Sequence, residues 1–193
     1  MPHRILVIQG HPDARAAHLC YALAAAYVDA ANEAGHGVRT CDVATLDFAL
    51  LRSQAEFDHG PVPVALHAVQ ADILWASHLV LVFPLWAGGM PALLKGFFEQ
   101  VFRPAFTGTS ASHFGKKLLD GRSARLIVTM GMPALVYRWF FRAHSLKALE
   151  RSLLGMVGIA PVRETLIGQT GDMAPEQVAK WLRAMQELGR HGT

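Results

Sequence analysis

Residues 79–83, Leu-Val-Leu-Val-Phe, form a continuous apolar run that Pro84 ends. A run this short with no polar face suits a strand covered on both sides, as in a parallel sheet packed between layers of helices. The residues after it constrain the fold further. Segment 83–102 reads FPLWAGGMPALLKGFFEQVF: a strand end, a Gly-rich turn and an amphipathic helix opened by Pro91, whose missing N–H is no loss in a first turn. In an open α/β sheet, ligands bind outside the carboxyl ends of the strands. Here the turn of Leu85, Trp86, Ala87, Gly88 and Gly89 has no charged side chain. It offers backbone N–H groups and one planar aromatic, which suits a flat, largely apolar ring with polar edges.

The same alternation of strand and helix runs from end to end. Strands are expected at 4–9 (RILVIQ), 38–43, 79–83, 123–129 (SARLIVT) and 162–167. Helices are expected at 18–34, ended by Gly35, at 64–75, from Pro91 to about residue 103, at 142–157 and at 175–188. The second strand is shorter and more polar, as an edge strand would be. With right-handed crossovers this predicts an α/β fold, a flavodoxin-like three-layer sandwich whose five-stranded parallel sheet has the order 2-1-3-4-5. A single domain over 1–193 is expected at this length. Two long stretches, 44–62 and 104–122, read as irregular and should cover the sheet edge or build a ligand or partner surface.

Composition narrows the functions. The chain is 52% hydrophobic and 17% charged, with a mean hydropathy of +0.25. That is apolar for a soluble monomer and points to more buried surface, most simply a homodimer interface. No apolar stretch reaches the roughly 18 residues of a membrane span. The first strand begins within a few residues of Met1 without a signal-peptide pattern, so a cytoplasmic location is expected. The net charge is +3, yet the basic residues are scattered. The densest group, Lys116, Lys117, Arg122 and Arg125, does not make the clustered footprint of a nucleic-acid binder, and none is expected. A mild positive field serves anionic cofactors equally well. Cys20 and Cys41 have neither metal-ligand spacing nor a disulfide framework; they read as core thiols, and no metal site is expected.

The turn after the first strand runs Gln9-Gly10-His11-Pro12-Asp13-Ala14-Arg15-Ala16-Ala17-His18. A strand end meeting a helix N-terminus is an anion site, because free N–H groups and the helix dipole favour negative charge. His11, Arg15 and His18 add to it, while Asp13 reads as a solvated turn acid. An ordinary surface turn explains the same residues, and the three spaced glycines of a dinucleotide fingerprint are missing. The turns at 10–17, 84–89 and 129–136 nevertheless fall on one rim of the predicted sheet. Together they divide the work of holding a flavin: the first takes phosphate, and the second and third take the isoalloxazine ring.

The segments GHPD, FPLWAGGMPALLKGFFEQVF and VTMGMPALVY resemble the NAD(P)H:quinone oxidoreductase family, which includes quinone reductases, drug-modulator quinone reductases and potassium-efflux ancillary reductases. The resemblance extends over nearly the whole chain. It implies bound FAD, or FMN, with NAD(P)H as co-substrate. It also implies a homodimer with shared flavin sites and ping-pong two-electron transfer to a quinone or related electrophile. His11 takes the place of the family's flavin-phosphate histidine, and His18 with Leu19 stands where relatives often carry Ser-Phe. With no Ser or Thr between Gly10 and Leu19, phosphate falls to backbone N–H groups with His11, His18 and Arg15. Pro84, Leu85, Trp86 and Ala87 match residues lining the ring, with Ala87 and Gly88 smaller than the side chains of several relatives. Thr129, Met130, Gly131 and Met132 match a turn that reads Thr-Thr-Gly-Gly in the animal quinone reductases, so backbone must serve the ring's polar edge. Tyr137 and His144 resemble the Tyr and His that flank the substrate and stabilise charge as hydride arrives. They are seven residues apart and share a face if the segment between them is helical.

Trp139, Phe140 and Phe141 cannot all point inward on a helix. A dimer interface that also walls the substrate pocket is the first reading of them; a membrane surface or a membrane-protein partner is the second. Two other functions stay open on the residues alone. One is a regulatory flavodoxin-like subunit that docks on a membrane transporter. The other is a one-electron carrier of the flavodoxin type, against which the basic charge counts.

Overall fold

The computed structural model describes residues 2–14, 18–107 and 117–193. Strands β1 (Arg4–Gln9), β2 (Gly37–Asp42), β3 (His78–Pro84), β4 (Ser123–Thr129) and β5 (Val162–Ile167) form one sheet in the order β2-β1-β3-β4-β5, every neighbouring pair parallel. Gln9 lies beside Val82, Pro84 beside Thr129 and Thr129 beside Ile167, so the carboxyl ends of β1, β3, β4 and β5 meet at one rim.

Alternation along each strand feeds two cores. Ile5, Val7, Val80, Val82, Ile127 and Ile167 face one side, where they pack with Leu23 and Tyr27 of α1 (Leu19–Glu33) and Met185 of α9 (Pro175–His191). Leu6, Ile8, Leu79, Leu81, Phe83 and Val128 face the other. There they meet α3 (His67–Trp75) and α4 (Ala92–Val101), whose Leu94, Phe97, Phe98 and Val101 are buried. Burying one such side chain contributes about 1.5–3 kcal/mol, so α4 is anchored by its apolar face and holds the preceding turn in place.

The expected strands at 4–9, 123–129 and 162–167 agree with β1, β4 and β5, and the edge strand starts one residue early. Other expectations are corrected. The stretch 44–62 contains α2 (Gln54–His59), whose N-cap Ser53 accepts a hydrogen bond from the Glu56 N–H at 3.1 Å. A short helix α5 (Pro104–Thr107) opens the second irregular stretch, and residues 108–116 of that stretch lie outside the described residues. The single helix expected at 142–157 is replaced by α6 (Ala134–Trp139), α7 (His144–Ala148), a π-helical turn at Leu149–Leu154 and α8 (Gly155–Val157). The break falls where Arg142 and Ala143 take left-handed conformations, φ 55 and 47. The Ala143 N–H closes it by donating to the Tyr137 carbonyl at 3.1 Å.

Trp139 and Phe140 face outward as expected, 76% and 78% exposed. Among the described residues no helix is long and apolar enough to cross a membrane, and no cluster of side chains has the makings of a metal site. Both cysteines are free and buried; burial pushes the thiols of Cys20 and Cys41 up to about 11 and about 12.

Candidate functional site

The three turns are tied to one another by backbone. Gly10 N–H donates to the Val82 carbonyl at 2.8 Å, and Leu85 N–H donates to the Thr129 carbonyl at 2.7 Å. Met130 N–H donates to the Ile167 carbonyl at 2.8 Å. Gly10 is where the first turn crosses α4: a Cβ there would lie 2.6 Å from a Leu94 methyl, so a larger residue would have to push that side chain aside.

The second turn is a tight two-residue reversal. Trp86 and Gly89 exchange both backbone hydrogen bonds at 2.9 Å, and the central residues Ala87 and Gly88 have φ 48 and 79. This is the mirror-type turn that needs positive φ at both central positions, and Ala87 occupies one of them without being glycine. It lifts Trp86 to the rim, where the indole is 51% exposed and makes an edge contact with His11, ring centroids 5.9 Å apart. Pro84 is the buried last residue of β3, and Leu85 is half-buried beneath the turn.

At the first turn, His11 and His18 stack with centroids 3.9 Å apart and an interplanar angle of 22°. His11 Nδ1 lies 3.1 Å from the Asp13 amide nitrogen and 3.2 Å from the Asp13 carbonyl oxygen, so the backbone of the turn engages Nδ1 in either tautomer of the ring. Burial first, and the neighbouring His18 second, lower the pKa of His11 below its ordinary value. Asp13 is not a solvated turn acid: its Oδ2 lies 3.0 Å from His18 Nε2. Helix α1 begins next, at half-buried Leu19; His18 makes no side-chain cap bond, and no acidic residue stands in the first turn, so the helix dipole there stays uncompensated by the sequence. Arg15 lies outside the described residues.

The third turn departs from the expectation. Thr129 is buried, with its Oγ1 3.2 Å from Cys20 Sγ, and Met130 is buried in the core beside α4. The Met130 carbonyl also accepts from Thr170 N–H at 3.2 Å, so both its side chain and its backbone are committed inward. The Thr129 hydroxyl and the Met130 side chain thus face inward, and the rim is presented by exposed Gly131 and half-buried Met132. Among the described residues, the N–H groups of Ala87, Gly88, Gly131 and Met132 have no partner.

Tyr137 and His144 do not share a helical face, because the break at Arg142 and Ala143 separates them. The Tyr137 ring is buried, and its Oη lies 2.6 Å from the Ser145 Oγ; His144 is exposed at the start of α7. Sequence reasoning missed Ser145, and it also missed Gln9. Gln9 is 5% exposed at the end of β1; its Oε1 accepts the His11 N–H at 3.2 Å, while its Nε2 has no partner among the described residues.

These features fit a flavin. An exposed indole, open space over Gly88 and Gly131, and four unpartnered N–H groups suit a flat ring with acceptor edges. The orphaned Gln9 Nε2 is a further donor beneath the rim, since a buried amide without a partner is costly.

A five-stranded parallel sheet in this order, with three turns gathered at its carboxyl rim, defines a flavodoxin-like protein. The chain belongs to the family of flavodoxin-like fold, whose model matches residues 3–188. It is 27% identical over 155 residues to the ribosyldihydronicotinamide dehydrogenase-like protein traD of Penicillium crustosum, a match covering 66% of this chain and 57% of that one. The chain thus spans little more than half the length of that relative. It is 28% identical over 167 residues to an uncharacterized NAD(P)H oxidoreductase of Haemophilus influenzae, covering 84% and 82% of the two chains. Among solved structures, the NAD(P)H:quinone oxidoreductase from Methanothermobacter marburgensis shares the fold with a TM-score of 0.80 at 22% identity, covering 99% of this chain and 97% of that one.

Proposed function

We propose that the protein is a flavin-dependent NAD(P)H dehydrogenase that reduces quinones or related electrophiles by two-electron, ping-pong transfer. The observation that carries the reading is the convergence on one rim of exposed Trp86, the unpartnered N–H groups of Gly88, Gly131 and Met132, and the stacked His11 and His18. Relatives named as NAD(P)H oxidoreductases favour it over a transporter-docking subunit or a one-electron carrier. We take FAD as the bound form and FMN as the alternative, on the family resemblance.

When bound, the flavin supplies the hydride chemistry, storing two electrons between donor and acceptor. The chain supplies binding, orientation and fixed dipoles. Trp86 and Leu85 wall the ring, and the Gly131 and Met132 N–H groups stabilise negative charge at its polar edge without having to reorganise. His11, His18 and the N-terminus of α1 hold phosphate. The Tyr137 Oη and Ser145 Oγ, 2.6 Å apart, hold a proton between them and donate a hydrogen bond to the acceptor's oxygen. Exposed His144, next in sequence to Ser145, is the second donor in this reading. Exposed Leu135, Trp139 and Phe140 form the face assigned to a second copy, completing the site as a homodimer.

The test is to extract the cofactor, identify it by mass, and measure initial rates with both substrates varied. Parallel double-reciprocal lines are expected; intersecting lines overturn ping-pong turnover.

A further inference from the structure

A concave cavity of about 560 Å³ opens between α4 and the segment running from α7 to α8. Its size falls among cavities that hold small ligands, roughly 300–1,000 Å³. It begins at Gly89 and Met90, at the foot of the turn that carries Trp86, and runs over Phe98, Phe102 and Leu153 to Met156. Phe98 and Phe102 stack in its floor, centroids 5.6 Å apart at 16°. The charged side chains that line it, Lys95 and Glu99, are paired with each other, so the wall they share carries no net charge. Its polar group nearest the proposed chemistry is Ser145, which holds the Tyr137 hydroxyl.

A second observation marks the same wall. Leu149–Leu154 is π-helical, and the Gly155 N–H reaches back five residues to the Glu150 carbonyl. Single π turns are rare and recur at functional sites, because the wider turn redirects side chains. Here Leu149, Ser152 and Leu153 of that turn all line the cavity. The exposed Trp139 and Phe140, assigned above to the dimer face, do not.

We propose that this groove takes the hydrocarbon tail of the acceptor: a quinone whose ring lies by Gly89 and the Tyr137–Ser145 pair, with an alkyl or isoprenyl chain running toward Met156. The assignment rests on the quinone-reductase reading and narrows its substrate to tailed, lipophilic quinones. A half-enclosed apolar groove continuous with the ring turn suits one chain of methylenes. Each methylene taken from water is worth about four-fold in affinity, so a few buried ones give a tailed quinone at least about a ten-fold advantage.

The experiment compares a benzoquinone without a tail and its decyl derivative in steady-state reduction, alongside calorimetric binding of a decyl dimethoxybenzene, which cannot be reduced. The decyl quinone is expected to have a KM at least about ten-fold lower than the tail-less one. Met156→Glu, at a position 47% exposed and so tolerant of a charge, is expected to shrink that ratio at least about five-fold and to weaken the inert probe equally. Equal KM values for the two quinones overturn the groove while leaving the reductase reading standing. Failure to reduce either quinone while the inert probe still binds, with loss in Met156→Glu, upholds the groove and overturns the reductase reading. A solution dimer that Met156→Glu dissociates, with no binding of the inert probe to wild type, assigns the groove to a second copy and overturns the proposal.

Discussion

Replacing Gly131 with valine separates the site from the fold. A Cβ built on Gly131 meets no atom within 4 Å, and the residue is not among those with positive φ. It is also exposed and lies outside every strand and helix. The ligand-free protein should therefore tolerate the side chain, with stability within about 0.5 kcal/mol of wild type, as for an ordinary surface substitution. If the ring lies over the third turn, the added methyls fall where it must pack. Overpacking of that kind costs about 1–3 kcal/mol, or about five- to 150-fold in flavin affinity. Gly121 is the control: a Cβ there also meets nothing within 4 Å, but φ is +80 and the residue precedes β4, at the opposite end of the strand. Gly121→Val should lose about 1–2 kcal/mol of stability and no flavin affinity. The assay is thermal melting of the ligand-free proteins with titration of FAD and FMN followed by flavin fluorescence. Wild-type affinity in Gly131→Val would refute the placement of the ring against the third turn, and a loss above about 2 kcal/mol would refute the open geometry at Gly131.

Three further outcomes follow from buried polar groups. Burial, with Arg125 adding to it, pushes His78 down to about 4 from its ordinary 6.5. Between those values the unfolded chain binds the extra proton and the folded one does not, so stability should fall by about 3 kcal/mol as pH drops from 6.5 to 4. Urea titrations across that range should show a flatter slope for His78→Gln. The Tyr27 hydroxyl is buried with no partner among the described residues, so Tyr27→Phe should be neutral or stabilising by up to about 1 kcal/mol, read from the urea midpoint. With thiols raised to about 11 and about 12, Cys20 and Cys41 should resist a thiolate-specific reagent at pH 8 until the protein is unfolded.

Three of the strands were readable as short runs rich in apolar and β-branched residues bounded by turn residues, and the sheet order followed from right-handed crossovers between them. The third turn differs from its expectation because the strand's in-and-out geometry continues past its last residue. The alternation does not stop at Val128: Thr129 turns toward Cys20 under α1 and Met130 toward the α4 core, so the pleat runs one residue past β4 before Gly131 frees the chain. Following the alternation to its end would have left Gly131 and Met132 as the residues of this turn open at the rim. Helix α2 had a legible start in Ser53-Gln54-Ala55-Glu56, which has the spacing of a capping box. The break between Tyr137 and His144 had none, because Arg142 and Ala143 carry no glycine to announce a left-handed turn. Nor does periodicity relate Asp13 to His18, five positions on, whose side chains meet at 3.0 Å. The Tyr137–Ser145 pair is likewise a product of that break, which folds the start of α7 back onto α6.

The central claim is that this rim holds a flavin that mediates between NAD(P)H and a quinone, and anaerobic spectrophotometry of the flavin-loaded protein tests it most directly. NADH or NADPH should bleach the visible flavin band, and a stoichiometric quinone added afterwards should restore it. Protein that takes up neither FAD nor FMN, or a bound flavin that neither nicotinamide bleaches, would contradict it.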